Sequence, residues 1–188
     1  MTRNLLIGIV VGVVVVAASV YVTGLSKTLL MPFFSTTEFK SAESAAAPEL
    51  AKGDWLNSEP LTLANLRGRV VLIDFWTFGC INCRNTLPSL KSWHDRYRDK
   101  GLTIIGVHSP EFDEEKDADN LHRAVASLGI SYPVVTDNDY QSWKAYNVEA
   151  WPTVFLLDKR GRIRWRHVGE GNYKEAEQMI QQLLAEET

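Results

Sequence analysis

An α/β fold, a three-layer sandwich with a mixed central sheet and helices on both faces, is predicted by three features of this sequence. Its 188 residues suit one domain core plus an appendage, at roughly 100 to 200 residues per domain. Short apolar, β-branched runs alternate with amphipathic stretches of helical period, the order expected of strands buried between helices. Near the C-terminal end the turn signal Asp158-Lys159-Arg160-Gly161 joins two strands that must return antiparallel, so the sheet is mixed.

From Leu5 to Val22 the chain carries no charge, and it stays uncharged to Leu25. As a helix this run would cover roughly 27 to 32 Å, the thickness of a bilayer's hydrocarbon. It is longer than the apolar part of a cleaved signal peptide, roughly 7 to 15 residues. Residues 1–25 therefore read as an uncleaved signal anchor, a single transmembrane helix. Arg3 and the amino terminus favour the cytoplasmic side, which places the body of the protein on the extracytoplasmic, periplasmic face of the cell membrane. Residues 26–52 contain the apolar cluster Leu29 to Phe34 and then a Ser-, Thr-, Ala- and Glu-rich stretch without periodicity, read as a tether. The globular domain is expected over 53–188. Beyond residue 35 there are 18 Lys and Arg against 23 Asp and Glu, a balance that gives no reason to expect nucleic acid.

Within the domain, Trp55 to Leu63 suggests a short strand or hairpin, and Leu66 to Arg69 a turn into the first central strand, Val70 to Trp76. A helix follows to about Lys100, with Leu87, Leu90, Trp93 and Tyr97 on one face and Pro88 expected to kink it. Leu102 to His108 is a second buried strand. The acidic stretch Glu111 to Asp119 reads as a solvated loop before a helix from Ala118 to Leu128. A short strand at Pro133 to Thr136, a short helix at Gln141 to Tyr146 and the strands Thr153 to Leu157 and Ile163 to Val168 come next. A last helix, Lys174 to Glu186, turns Ala176, Met179, Ile180, Leu183 and Leu184 inward.

The strand Val70 to Trp76 carries one acid, Asp74, and runs through Thr77-Phe78-Gly79 into the only two cysteines, Cys80 and Cys83. Two thiols spaced C-x-x-C at the start of a helix reach one another across one turn and form a redox pair. Cysteines three apart close almost no loop, so exchange chemistry explains them better than stapling. No cofactor beyond the Cys80–Cys83 disulfide and no bound metal is expected. Asp74 is costly to bury as a carboxylate, and a carboxyl whose pKa burial raises is suited to relay the proton that a buried thiol must lose.

With these elements in place, the domain from Trp55 to Leu184 resembles the thioredoxin superfamily. Three landmarks carry the match: the six-residue step from Asp74 to Cys80, Pro88 five residues after Cys83, and Trp151-Pro152-Thr153 ahead of a strand. The segments Trp76 to Cys83, Gly106 to Phe112, Gly129 to Pro133 and Gly169 to Tyr173 are similar to the membrane-tethered TlpA/ResA-like branch of AhpC/TSA redoxins, and most of all to the thioredoxin-like domain at the C-terminal side of DipZ proteins. The resemblance implies a thioredoxin-like sandwich and a thiol-disulfide oxidoreductase. In it Cys80 is the nucleophile at the helix N-terminus and Cys83 the resolving thiol. Asp74 is the proton relay, Pro152 is cis and faces the cysteines, and Trp76, Phe78 and Trp151 flank the substrate. Disulfide-containing extracytoplasmic proteins, in cytochrome c maturation or a related reductive pathway, would be its targets. Electrons would come from a separate membrane donor of the CcdA/DsbD type, since DipZ proteins carry a multi-span electron-transfer domain and this chain has only the anchor.

Two other functions compete. Thr77 stands three residues before Cys80 as in the peroxiredoxin pattern, although Ile73 occupies the place of its proline, so a thiol peroxidase is one alternative. A copper or haem chaperone binding through Cys80, Cys83 and His108 is the other, because thiolates suit Cu(I). Arg84 stands one residue beyond Cys83, placed either to stabilise a thiolate or to face water.

Overall fold

The computed structural model describes residues 46–187. The anchor, the apolar cluster and most of the tether lie outside the described residues. Among the described residues no helix is long and apolar enough to cross a membrane.

Six strands form one sheet in the order β1-β4-β3-β2-β5-β6: β1 (Trp55–Leu56), β2 (Val70–Trp76), β3 (Leu102–His108), β4 (Val134–Thr136), β5 (Thr153–Leu157) and β6 (Ile163–Val168). The central strand β2 pairs parallel with β3, which pairs parallel with β4, while β5 runs antiparallel to β2 and β6. The hairpin between β5 and β6 turns where the sequence signals it. Gly161 takes a φ of 69°, and the buried Asp158 carboxylate accepts the amides of Arg160 and Arg162 at 2.9 Å each.

Helices α1 (Ile81–Tyr97), α2 (Ala118–Ser127), α3 (Gln141–Ala145) and α4 (Tyr173–Ala185) divide between the faces. On one face Val70, Leu72 and Trp76 of β2 meet Leu87, Leu90 and Trp93 of α1, Leu121 and Val125 of α2, and Ala176, Ile180 and Leu183 of α4. On the other, Val71, Ile73 and Phe75 meet Tyr146, Val148 and Phe155, with Trp143 of α3 against them. Every residue of β2 is buried, which is why its sequence is apolar at every position but Asp74 and does not alternate. The α1 helix continues through Pro88.

The structure departs from the sequence expectation at the N-terminal end. Residues 46–52, expected in the tether, are fastened to the domain: Ala46 bridges Arg162, the Ala47 amide donates to Gly161 O at 3.0 Å, and Tyr146 OH donates to Pro48 O at 2.6 Å. The Glu49 carboxylate accepts from the amides of Leu63 and Ala64 at 2.8 and 2.7 Å, holding the 3-10 turn Ala64–Leu66. Trp55 to Leu63 contains no hairpin. After the two residues of β1, Asn57 turns with φ 64° and its side-chain amide donates to the carbonyls of Ile130 and Tyr132.

Candidate active site

Three strand ends meet at one edge of the sheet. Trp76, last in β2, is the register partner of His108, last in β3, and Phe75 pairs with Thr153, first in β5. The loops leaving these ends carry Thr77 to Cys80, Ser109 to Glu115, and Trp151-Pro152. In open α/β sheets this C-terminal end of the parallel strands is where reactive groups gather.

Cys80 is the N-cap of α1. Its sulfur accepts the backbone N–H of Cys83 at 3.3 Å, and its own carbonyl accepts from Arg84 N at 3.1 Å. A helix N-terminus and an amide aimed at sulfur both complement negative charge developing there. Cys80 is partly exposed and Cys83 is buried, and both are free thiols. Arg84 is exposed.

Asp74, close enough to Cys83 to act on its thiol, is 1 % exposed, and its Oδ1 has no hydrogen-bond partner among the described residues. Burial pushes its carboxyl from 3.8 up to about 7. The Cys83 thiol is pushed up by burial first, then by the Asp74 charge and the hydrogen bond with Cys80, against a smaller opposing pull from the Thr77 backbone. Near neutral pH the Asp74 carboxyl is therefore divided between its acid and carboxylate forms while Cys83 keeps its proton, and the carboxylate form can accept that proton. Tyr132, fully buried, is raised well above its usual value by burial and by the same two groups.

The Trp151–Pro152 peptide bond is cis. The Trp151 ring is fixed by a bond from Nε1 to Ser109 O at 3.0 Å and by Trp143, 4.4 Å between ring centroids. Phe78, Cys80 and Trp151 are partly buried together on the α1 side of the sheet.

Trp76 corrects the expectation of an apolar platform. Its parity along β2 matches Leu72 and Asp74, so its ring is fully buried under α1. Nε1 sits where Gly106 lacks a side chain: a Cβ there would lie 2.8 Å from it. The apolar surface that does face outward beside Cys80 is Ile81, 65 % exposed, which no sequence signal distinguished from its neighbours.

Glu115 corrects the reading of the acidic stretch as a solvated loop. It is 2 % exposed, and its carboxylate accepts the amides of Gly79 at 2.9 Å, Glu111 at 2.5 Å and Phe112 at 3.1 Å. Burial alone would raise this carboxyl, but hydrogen bonds from the Thr77 hydroxyl and these amides outweigh it and hold the group below its usual value. The Thr77 hydroxyl is hydrogen-bonded to His108 Nε2 at 3.3 Å. His108 is buried, stacks on Phe78 at 5.5 Å, and is lowered by desolvation to about 4, so it is neutral at pH 7. The Thr77 hydroxyl is thus paired with His108 at the end of β3. His108 is likewise engaged through Nε2, and no cluster of three or more His, Cys, Asp or Glu able to hold a metal ion occurs among the described residues.

Residues 43–166 match the AhpC/TSA family. The chain is 46 % identical over 143 residues to Protein DipZ of Mycobacterium tuberculosis, covering 73 % of this chain and 20 % of that protein. The chain thus spans about a fifth of DipZ's length. It is 30 % identical over 144 residues to the thiol-disulfide oxidoreductase ResA of Bacillus subtilis, covering 77 % of this chain and 76 % of ResA. Among solved structures, a putative thiol:disulfide interchange protein DsbE from Chlorobium tepidum superposes with a TM-score of 0.67 at 26 % identity, over 76 % of this chain and 97 % of that one.

Proposed function

The chain belongs to the AhpC/TSA family as a thioredoxin-like thiol-disulfide oxidoreductase, and on that premise we propose that Cys80 and Cys83 reduce disulfides of extracytoplasmic proteins. The observation that carries this reading is the N-cap placement of Cys80, its sulfur bonded by the Cys83 amide, with the buried carboxyl of Asp74 close enough to Cys83 to act on its thiol.

The Cys80 thiolate attacks one sulfur of the substrate disulfide; a mixed disulfide forms and the other substrate sulfur leaves as thiolate. Asp74 takes the proton from the Cys83 thiol. Cys83 then attacks Cys80 Sγ, the mixed disulfide breaks, and the second substrate thiol is released as the Cys80–Cys83 disulfide closes. The substrate gains two electrons and the enzyme loses two. A membrane dithiol donor of the CcdA/DsbD type returns them, and no cofactor besides the cysteine pair takes part. The polypeptide segment bearing the substrate disulfide lies against Trp151, Pro152 and Phe78.

Residues 1–25 act as the anchor that holds the domain on the outer face of the membrane. The uncharged run Leu5 to Val22 supports that reading. Cytochrome c maturation or a related reductive pathway fits a reductant so placed.

Trapping tests the assignment. The full chain carrying Cys83→Ser should accumulate a mixed disulfide with a disulfide-containing protein, and Cys80→Ser should form none and lose reductase activity. Retained activity in Cys80→Ser overturns the choice of nucleophile.

A further inference from the structure

We propose that Glu115 is a positioning residue for the nucleophile: it binds the loop that presents Cys80 to the loop that follows β3, so that the two move as one body. The inference rests on the oxidoreductase reading above and concerns a side chain that makes none of its bonds.

The loop Thr77 to Gly79 leaves the sheet before α1 begins, and residues 111–112 leave it after β3. Neither segment has a strand partner for its amides. Gly79, Glu111 and Phe112 are exposed residues whose amides turn inward onto the buried Glu115 carboxylate. Glu115 satisfies three from the centre: Oε1 takes Gly79 N at 2.9 Å, and Oε2 takes Glu111 N at 2.5 Å and Phe112 N at 3.1 Å. Gly79 is the residue immediately before Cys80. Hydrogen bonds to a charged acceptor are stronger than neutral ones, and both carboxylate oxygens accept. No neutral side chain offers two acceptor ends in this volume.

Gly79 is shaped to the same contact. A Cβ at this position would lie 2.4 Å from Glu115 Oε1, so the absence of a side chain there serves the approach of the carboxylate, and Gly79 is not among the glycines of positive φ. The Thr77 hydroxyl, seated between Glu115 and His108, extends the clamp to the end of β3. Through it the sulfur of Cys80 is held at the N-cap, within 3.3 Å of the Cys83 amide.

A clamp of this kind acts on the orientation of the attacking sulfur, an effect that appears in kcat. Glu115→Gln keeps the volume but presents an NH₂ to one set of amide donors, and Gly79→Ala keeps the carboxylate but pushes it away. Both variants of the full chain should lower kcat for a small aromatic disulfide by about tenfold while leaving KM within about twofold. Wild-type kcat in both variants overturns the inference, and so does a loss confined to KM, which would make Glu115 a substrate contact. Should Glu115→Gln not fold, Gly79→Ala decides alone. A wild-type chain that reduces no disulfide overturns the oxidoreductase assignment of the cysteines instead, and the inference with it.

Discussion

Asp74 sets the pH response of the molecule at the level of a single side chain. Its carboxyl is 3.8 in its ordinary state and about 7 in the fold. Between those values the native state holds a proton that the unfolded chain has released, so stability falls as pH rises from about 4 to 7 and stays lowered above it. His108 works in the opposite sense: its folded value of about 4 against 6.5 means stability falls as pH drops through that interval. Asp74→Asn removes only the first contribution. In urea denaturation the variant should exceed the wild type by about 2 to 4 kcal/mol at pH 8 and match it near pH 4. Release of the mixed disulfide by Cys83 should slow by at least about tenfold in the same variant. No stability gain at pH 8 would show that the carboxyl carries no ionisation penalty in the fold.

At the level of elements, the segment before β1 is part of the domain. Glu49 caps the 3-10 turn Ala64–Leu66 through two amides, and Ala47 and Leu50 lie against the second core face. Glu49→Ala should lower unfolding stability by about 1 to 2 kcal/mol, as loss of a capping side chain does elsewhere; an unchanged denaturation midpoint would return residues 46–52 to the tether. This segment was not legible in the sequence because each of its partners is distant in the chain, and its own Ala and Glu residues show no period. By contrast β2, β3 and β5 begin and end where their apolar runs do, and β6 starts just after the turn signal at Asp158 to Gly161. The cysteine pair was legible by its spacing and Asp74 as an acid in an apolar strand, whereas the cis Trp151–Pro152 bond was expected only through the family resemblance. Trp76 and Glu115 were misread because their roles depend on burial: the alternation through Leu72, Asp74 and Trp76 puts the tryptophan inside, and nothing local separates Glu115 from its exposed acidic neighbours.

At the level of the described molecule as a whole, residues 46–187, exposed large apolar side chains are concentrated at one end of the sheet. Among the described residues they are Ile81, Phe112 and Val168, at 65 %, 54 % and 41 % exposure. Ile81 follows the nucleophile directly. Phe112 is tied to the same loop through Glu115. Val168 pairs with Thr153, and the next residue, Gly169, donates to the Pro152 carbonyl at 2.7 Å. All three therefore lie at the end of the sheet that carries Cys80 and Pro152, although they come from α1, the loop after β3, and β6. Single exposed apolar residues need no explanation, but three at one end of the sheet offer a surface for the protein substrate proposed above. Burying one such side chain is worth about 1.5 to 3 kcal/mol at most. The double variant Ile81→Ala, Phe112→Ala should then raise KM for a disulfide-containing protein by about tenfold or more, and the rate on a small disulfide, which covers little of this surface, should fall far less. Equal losses on both substrates would mean that the two side chains act on the geometry of Cys80 and not on recognition of the partner.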